Sequence, residues 1–204
     1  MPARMTRPRR EDVRRRLLHA ALAVFSERGY DRASLEQVAA VAGFSKGAVY
    51  SNFASKDELF LALMDQQVQT RITYARDALQ QPHQNGLTGR VVGDRLTAAL
   101  TEDRDWQLLF LDYVQRAVRD PGVREQFTRH RRHVRQLIAD AIRELADAPE
   151  AGSAGLDADA LAITILALSN GLAIERFTDP EAVPDKLLGR ILQILQQAPA
   201  VRHV

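Results

Sequence analysis

The 204-residue chain contains no cysteine. That absence removes disulfides, thiolate nucleophiles, cysteine zinc sites and iron–sulfur ligation together, so any chemistry rests on His, carboxylate and hydroxyl groups. Aromatic residues make up only 6% of the chain, and Trp106 is its sole tryptophan. The longest nearly uninterrupted apolar run, Leu161 to Ile174, carries Thr164, Ser169 and Asn170 and falls short of the roughly 20 residues that span a bilayer. It reads as a buried helix. No apolar segment of the secretory type follows the basic N-terminal residues, because Leu17 to Phe25 is interrupted by His19 and followed directly by charge. A cytoplasmic chain with no membrane partner is expected. Strand-type alternation and repeats of fixed period are also missing, and a composition of 46% hydrophobic and 26% charged residues excludes disordered and collagen-like classes.

Catalytic signatures are equally scarce. There is no Gly-x-Ser-x-Gly, no Gly-rich phosphate loop and no evident Ser, His and Asp set, so neither an enzyme nor a cofactor is expected. His130 and His133 have a spacing that suits two ligands on one helix face, with Asp140 two turns on. Arg131 and Arg132 between them, and the missing third ligand, argue against a metal. The Arg129 to Arg135 run reads as a solvated helix face.

What the chain does have is an uneven charge. Residues 1–56 hold eleven Lys or Arg against five Asp or Glu, and residues 57–204 hold seventeen against twenty-one. A segment of +6 therefore precedes a remainder of −4. A basic module on a mildly acidic body points to a polyanionic partner for the first part alone, although a basic solvated tail would give the same count.

Apolar residues recur at three-and-four spacing from Val13 to Leu195, which predicts an all-α fold of about nine helices. In the first, Val13, Leu17, Ala21, Val24 and Phe25 share a face, Gly29 stops the helix, and Arg14, Arg15 and Arg16 project largely elsewhere. Ser34 with Gln37 makes a capping box for a helix from Leu35 to Ala42, Gly43 breaks it, and Ser45 caps a short helix to about Phe53. Ser55 with Glu58 repeats the box and opens a long helix, roughly Lys56 to Gln80. Its early Leu59, Phe60 and Leu63 suit packing on the short pair, and the polar stretch beyond Met64 marks a connector. After a loop at Pro82 to Gly86, helices follow from about Leu87 to Thr101 and from Asp105 to Val118, the latter ended by Asp120-Pro121-Gly122. A long helix from about Val123 stops before Pro149, Ala148 to Gly155 is the most linker-like stretch, and two apolar helices close the chain at Leu156 to Phe177 and Pro184 to Gln197. The implied division is residues 1–55, an arm with the first three helices, and residues 56–204, a larger helical domain entered through the connector.

The segment Ser34 to Phe53 has the anatomy of a helix-turn-helix, with small Ala39 where the helices cross, Gly43 in the turn and Val49 facing inward. Any capped helical hairpin shares that outline. A helix entering a major groove must present short or flexible polar groups at its start, and Ser45, Lys46, Gly47 and Ala48 do so, followed by Tyr50, Ser51 and Asn52.

The stretch from Gly43 to Phe60, GFSKGAVYSNFASKDELF, preceded by Leu22 to Tyr30, LAVFSERGY, closely resembles the DNA-binding region of the TetR family of transcriptional regulators. The resemblance covers about the first 60 residues. It implies three helices on operator DNA, a fourth connecting to a variable helical ligand-binding domain, and dimerisation through the last two. Residue by residue it implies phosphate contacts from Ser34, Tyr50 and Lys56. Base contacts would fall to Ser45, Lys46, Ala48 and Ser51 or Asn52, with Lys46 suited to a guanine edge and Ala48 to a thymine methyl. The arm Arg4 to Arg10 suits a narrow minor groove or a solubilising tail equally.

The second domain carries no strong ligand motif. Trp106, Phe110 and Tyr113 share one stripe, and with His130, Asn170 and Glu175 they are candidates for an effector pocket, although each is also an ordinary core residue type. Leu161, Ile165, Leu168 and Leu172, with Leu187, Leu188, Ile191, Leu192 and Leu195, form stripes wider than one core uses, which predicts a symmetric homodimer. The partners expected are therefore a palindromic double-stranded operator, a small apolar or aromatic effector and a second copy of the chain. An effector-independent DNA-binding protein of the nucleoid or division-factor type is the alternative.

Overall fold

Local capping chemistry sets most of the helix ends. The structure is a computed structural model that describes residues 9–80, 88–102, 104–146 and 156–197, among which every regular element is a helix. The arm before residue 9, the loop at 82–86 and the linker at 148–155 lie outside the described residues. In chain order the helices are α1 (Arg10–Arg28), α2 (Leu35–Ala42), α3 (Lys46–Tyr50), α4 (Lys56–Gln80), α5 (Thr88–Glu102), α6 (Arg104–Arg119), α7 (Pro121–Ala146), α8 (Ala158–Thr178) and α9 (Leu187–Gln197). The chain folds as two compact units, Met1–Gln66 with Leu108–Arg124, and Gln67–Gln107 with Glu125–Val204.

In the first unit, α1 buries Leu17, Leu18, Ala20, Ala21, Val24 and Phe25. Ser34 Oγ accepts from the Gln37 amide at 3.3 Å and Gln37 Oε1 from the Ser34 amide at 3.0 Å, so the predicted capping box opens α2. Gly43 ends it at φ 71°, ψ 32°, a left-handed conformation that a Cβ would strain. Ser45 Oγ then takes the Ala48 amide at 3.2 Å and opens α3. This helix is shorter than the spacing predicts. Asn52 turns its own N–H to the Val49 carbonyl at 2.9 Å and its side-chain amide to the Ala48 carbonyl at 2.8 Å, so the chain leaves the helix at Tyr50. Ser55 caps α4, but the Glu58 carboxylate reaches the Ala54 amide at 2.7 Å, one residue outside the expected box.

The predicted break at Asp120-Pro121-Gly122 is a single residue. Asp120 Oδ1 accepts from the Gly122 and Val123 amides at 2.8 and 3.2 Å, and Pro121 is the first residue of α7, where its missing N–H costs nothing. α7 therefore begins two residues earlier than its apolar stripe.

In the second unit, Ala173, Leu188 and Leu192 form a core against which Leu96, Ile165, Leu168, Leu172, Phe177 and Leu195 pack. α5 and α9 meet there at backbone distance. A Cβ on Gly93 would lie 2.6 Å from the Gly189 nitrogen, and one on Gly189 would lie 2.7 Å from the Arg90 carbonyl oxygen. Gln196 Oε1 accepts the Gly89 amide at 2.8 Å, so α9 caps the start of α5. The expected pair of dimer stripes is thus used first within the chain: Leu188 and Leu192 are interior, whereas Leu161, Leu187 and Ile191 are only half-buried.

α8 corrects the expectation of a buried helix. Capped by Asp157 on the Ala160 amide at 2.7 Å, it buries only Ala162, Ser169 and Ala173. Ile163 and Ile174 stay 52% and 42% exposed. By length and a mean hydropathy of 1.4 it is long and apolar enough to cross a membrane, more so than the interrupted run in the sequence indicates.

Candidate nucleic-acid interface

The α2–α3 pair is fixed from beneath by apolar side chains: Val38, Ala39, Ala42 and Val49 are all buried, Val38 and Val49 completely. With Val49 inward, the opposite face of α3 presents Ser45, Lys46, Gly47, Tyr50 and Ser51 to solvent, and Ala48 and Asn52 are half-buried. Tyr50 is 46% exposed, and its hydroxyl hydrogen-bonds to nothing among the described residues. Ser45 and Ser51 serve backbone caps, Ser51 Oγ donating to the Ala48 carbonyl at 2.9 Å.

Lys46 pairs with Glu36 across the two helices and lies 5.6 Å from the Tyr50 ring centroid. Lys56, expected at a phosphate, is placed differently. Its ammonium donates to the carbonyls of Tyr30, Asp31 and Ala33 at 2.8, 3.1 and 3.0 Å and packs 4.5 Å from the Tyr30 ring centroid. Burial lowers its pKa. Three donors on three carbonyls make Lys56 the clasp of the α1–α2 loop.

Two arginines that sequence reasoning left on the outside of α1 also hold the motif. Arg14 donates to the Asn52 carbonyl at 3.3 Å over the Phe53 ring, and Arg16 to the Ala42 carbonyl at 3.0 Å over the Phe44 ring. Each satisfies backbone acceptors at or just past the end of a short helix. Their positions on α1 relative to its apolar face carried the signal; which carbonyls they meet did not show.

Beneath this surface Asp57 gathers two phenols. Tyr30 and Tyr113 donate to the same carboxylate oxygen at 2.7 and 2.9 Å, and Phe60 stacks on Tyr113 at 4.3 Å. Burial first, and then the Asp57 carboxylate, push both tyrosine pKa values up, so both hydroxyls stay protonated. Arg116 of α6 pairs with Asp31 at 2.8 Å and lies 5.2 Å from the Tyr30 ring centroid. The α1–α2 loop, the start of α4 and the C-terminal half of α6 are thereby one hydrogen-bonded body.

The effector candidates are distributed between the units. Phe110 and the fully buried Tyr113 belong to the first; Trp106 and His130, both buried, and half-buried Asn170 and exposed Glu175 belong to the second. An apolar cavity in the second unit, lined by Thr97, Leu172, Ala173, Phe177 and Leu188 among others, holds only about 10 Å³ and includes none of them. Burial pushes the His130 imidazole down to about 4, with Arg131 and His133 adding to the shift.

Comparison with known proteins agrees with this anatomy. A model of the bacterial regulatory proteins of the tetR family matches residues 17–63, and one of the BetI-type transcriptional repressor C-terminal region matches residues 90–197, more than half of the chain. The chain belongs to the TetR family. As a TetR-family chain it is 40% identical over 76 residues to the HTH-type transcriptional activator FasR of Mycolicibacterium smegmatis, covering 37% of this chain and 35% of that protein. It is 32% identical over 131 residues to the HTH-type transcriptional repressor AcnR of Corynebacterium diphtheriae, covering 64% and 62%. The match thus spans less than two thirds of the length of these curated relatives. Among solved structures, a putative TetR-family regulator from Rhodococcus sp. superposes with a TM-score of 0.69 at 22% identity, covering 91% of this chain and 99% of that one. That likeness concerns the fold.

Proposed function

We propose that this chain is a sequence-specific DNA-binding transcriptional repressor that acts as a homodimer on a palindromic operator. The observation that carries the proposal is the α3 face: short polar groups with an unengaged tyrosine hydroxyl, held rigid by buried Val49 and by the Arg14 and Arg16 clamps. Tyr50 suits a phosphate, Ser45, Lys46 and Ala48 suit base edges, and Lys56 acts by holding the loop rather than by reaching outward. Ser34 is half-buried in its capping box, and a phosphate contact from it is part of the same reading. Two such helices would enter successive major grooves roughly 34–36 Å apart.

The homodimer is supported by the uncovered side of α8 and α9. Ile163, Ile174 and Ile194 are exposed, and a Cβ added to Gly171 would meet nothing within 4 Å, which leaves room for close approach of a second helix. In this reading a second copy rather than lipid covers the apolar side of α8, consistent with a cytoplasmic protein.

For regulation, α4 and α6 each contribute residues to both units. An effector that binds the second unit better in one state than in another would change operator affinity, and about 1.4 kcal/mol of coupling lowers it tenfold. The effector proposed is small and apolar or aromatic, with Trp106 as its reporter. In a second reading no effector is bound and DNA affinity is constant.

The test is selection from a random duplex library with the purified protein, followed by sequencing. Enrichment of one palindrome is expected. Uniform, salt-sensitive retention of all sequences would overturn the proposal.

A further inference from the structure

Glu36 stands in the first turn of α2, two residues after its cap Ser34, and faces Lys46 of α3. Its carboxylate receives the Lys46 ammonium from α3, and the Ser34 hydroxyl and its own backbone amide also hold it below the usual carboxylate range. Lys46 in turn lies 5.6 Å from the Tyr50 ring centroid. Both partners of the ion pair are largely exposed, with side chains 61% and 48% accessible for Lys46 and Glu36. A pair this exposed adds little to the fold. Its consequence lies in where it points a lysine.

An ammonium on a four-carbon stem is a mobile point charge that takes any phosphate within reach, and phosphate contacts carry no sequence information. Lys46 held by one N–H on Glu36, with its charge against the Tyr50 face, has one preferred orientation and two donors left over. Those two match the O6 and N7 acceptors of guanine. A lysine that swings to the backbone must abandon Glu36 and leave a carboxylate facing phosphates. Docking without the cognate base is thus penalised, and docking with it keeps the pair intact.

We propose that Glu36 is a specificity-determining positioning residue, which directs Lys46 at a base edge and discriminates against sequence-independent binding. This rests on the DNA-binding reading above.

Fluorescence anisotropy on two duplexes tests it: the one enriched from the random library by the wild-type protein, and a scrambled duplex of equal length and composition, each across a salt series. Glu36→Gln is expected to raise affinity for the scrambled duplex about fivefold, to steepen its salt dependence by about one ion, and to leave affinity for the enriched duplex within about twofold. In a Lys46→Met background the same substitution is expected to leave the ratio between the duplexes unchanged. Equal gains on both duplexes would reduce Glu36 to bulk charge and overturn the inference, as would an unchanged ratio, or a loss of preference that persists in the Lys46→Met background. A wild-type protein that enriches no duplex would sink the DNA-binding reading itself, an outcome visible before any variant is made.

Discussion

Each of the polar residues singled out in the first unit has a role set by what its atoms meet. Tyr50 has a hydroxyl engaged by nothing among the described residues, so Tyr50→Phe should leave thermal stability unchanged and weaken binding to every duplex about tenfold, the worth of one hydrogen bond to a charged group. Lys56 is the opposite case: Lys56→Met strands three loop carbonyls and should cost about 1–3 kcal/mol in urea denaturation, with DNA affinity falling only as the loop loosens. His130 has an imidazole pushed down to about 4 from an ordinary 6.5, chiefly by burial, so the unfolded chain takes up the proton first. Stability from this group is complete above pH 6.5 and is lost as pH falls through about 4, by up to about 3 kcal/mol. Denaturant midpoints of His130→Gln and wild type should therefore converge as pH falls from 7 to 4 if the variant is the less stable at neutral pH; parallel curves would contradict the assignment.

Among the elements, the helices follow from local chemistry and their crossings do not. Ser34, Ser45 and Ser55 each take the backbone amide three residues on, which is why those starts could be read from the sequence, whereas the Asp120 and Asp157 caps of α7 and α8 were not read there. The α5–α9 crossing depends instead on Gly93 and Gly189 facing each other, and neither is a turn glycine. A Cβ on Gly93 meets the backbone of Gly189 and Leu188, which cannot yield as a side chain would. Gly93→Ala should cost about 1–3 kcal/mol by the cost of overpacking, measured as a drop in denaturation midpoint. Gly171→Ala, with open space around its Cβ, provides the contrast and should leave the isolated chain's helix slightly more stable.

For the molecule as a whole, the apolar stripes of α8 and α9 divide between two duties. Leu188 and Leu192 are interior to one chain, and Ile163, Ile174 and Ile194 face outward. Replacing Ile163 and Ile174 together by Asp should leave helical content intact, convert the proposed dimer to a monomer by light scattering, and reduce affinity for the proposed operator by at least about a hundredfold, because two half-sites would no longer bind as one. An unaltered dimer would show that the copies meet elsewhere. Trp106, the sole tryptophan and 4% exposed, should report an effector through its emission; constant emission across apolar and aromatic candidates, with operator binding equally constant, would favour the effector-independent reading.

Helix order, the serine caps of α2, α3 and α4, the basic first segment and the α2–α3 motif were determined by the sequence alone, because each depends on residues within a turn or two of one another or on composition. Tertiary structure decided the partners of the charged side chains. Lys56 finds carbonyls 23 to 26 positions away, Arg14 one 38 away, and Asp57 collects a phenol 56 away. No periodicity encodes such pairings. An α-helical pattern states which face a residue occupies, but the identity of the group it meets is set only when separate helices pack, and that is where the loop clasp, the Asp57 node and the Glu36–Lys46 pair come into being.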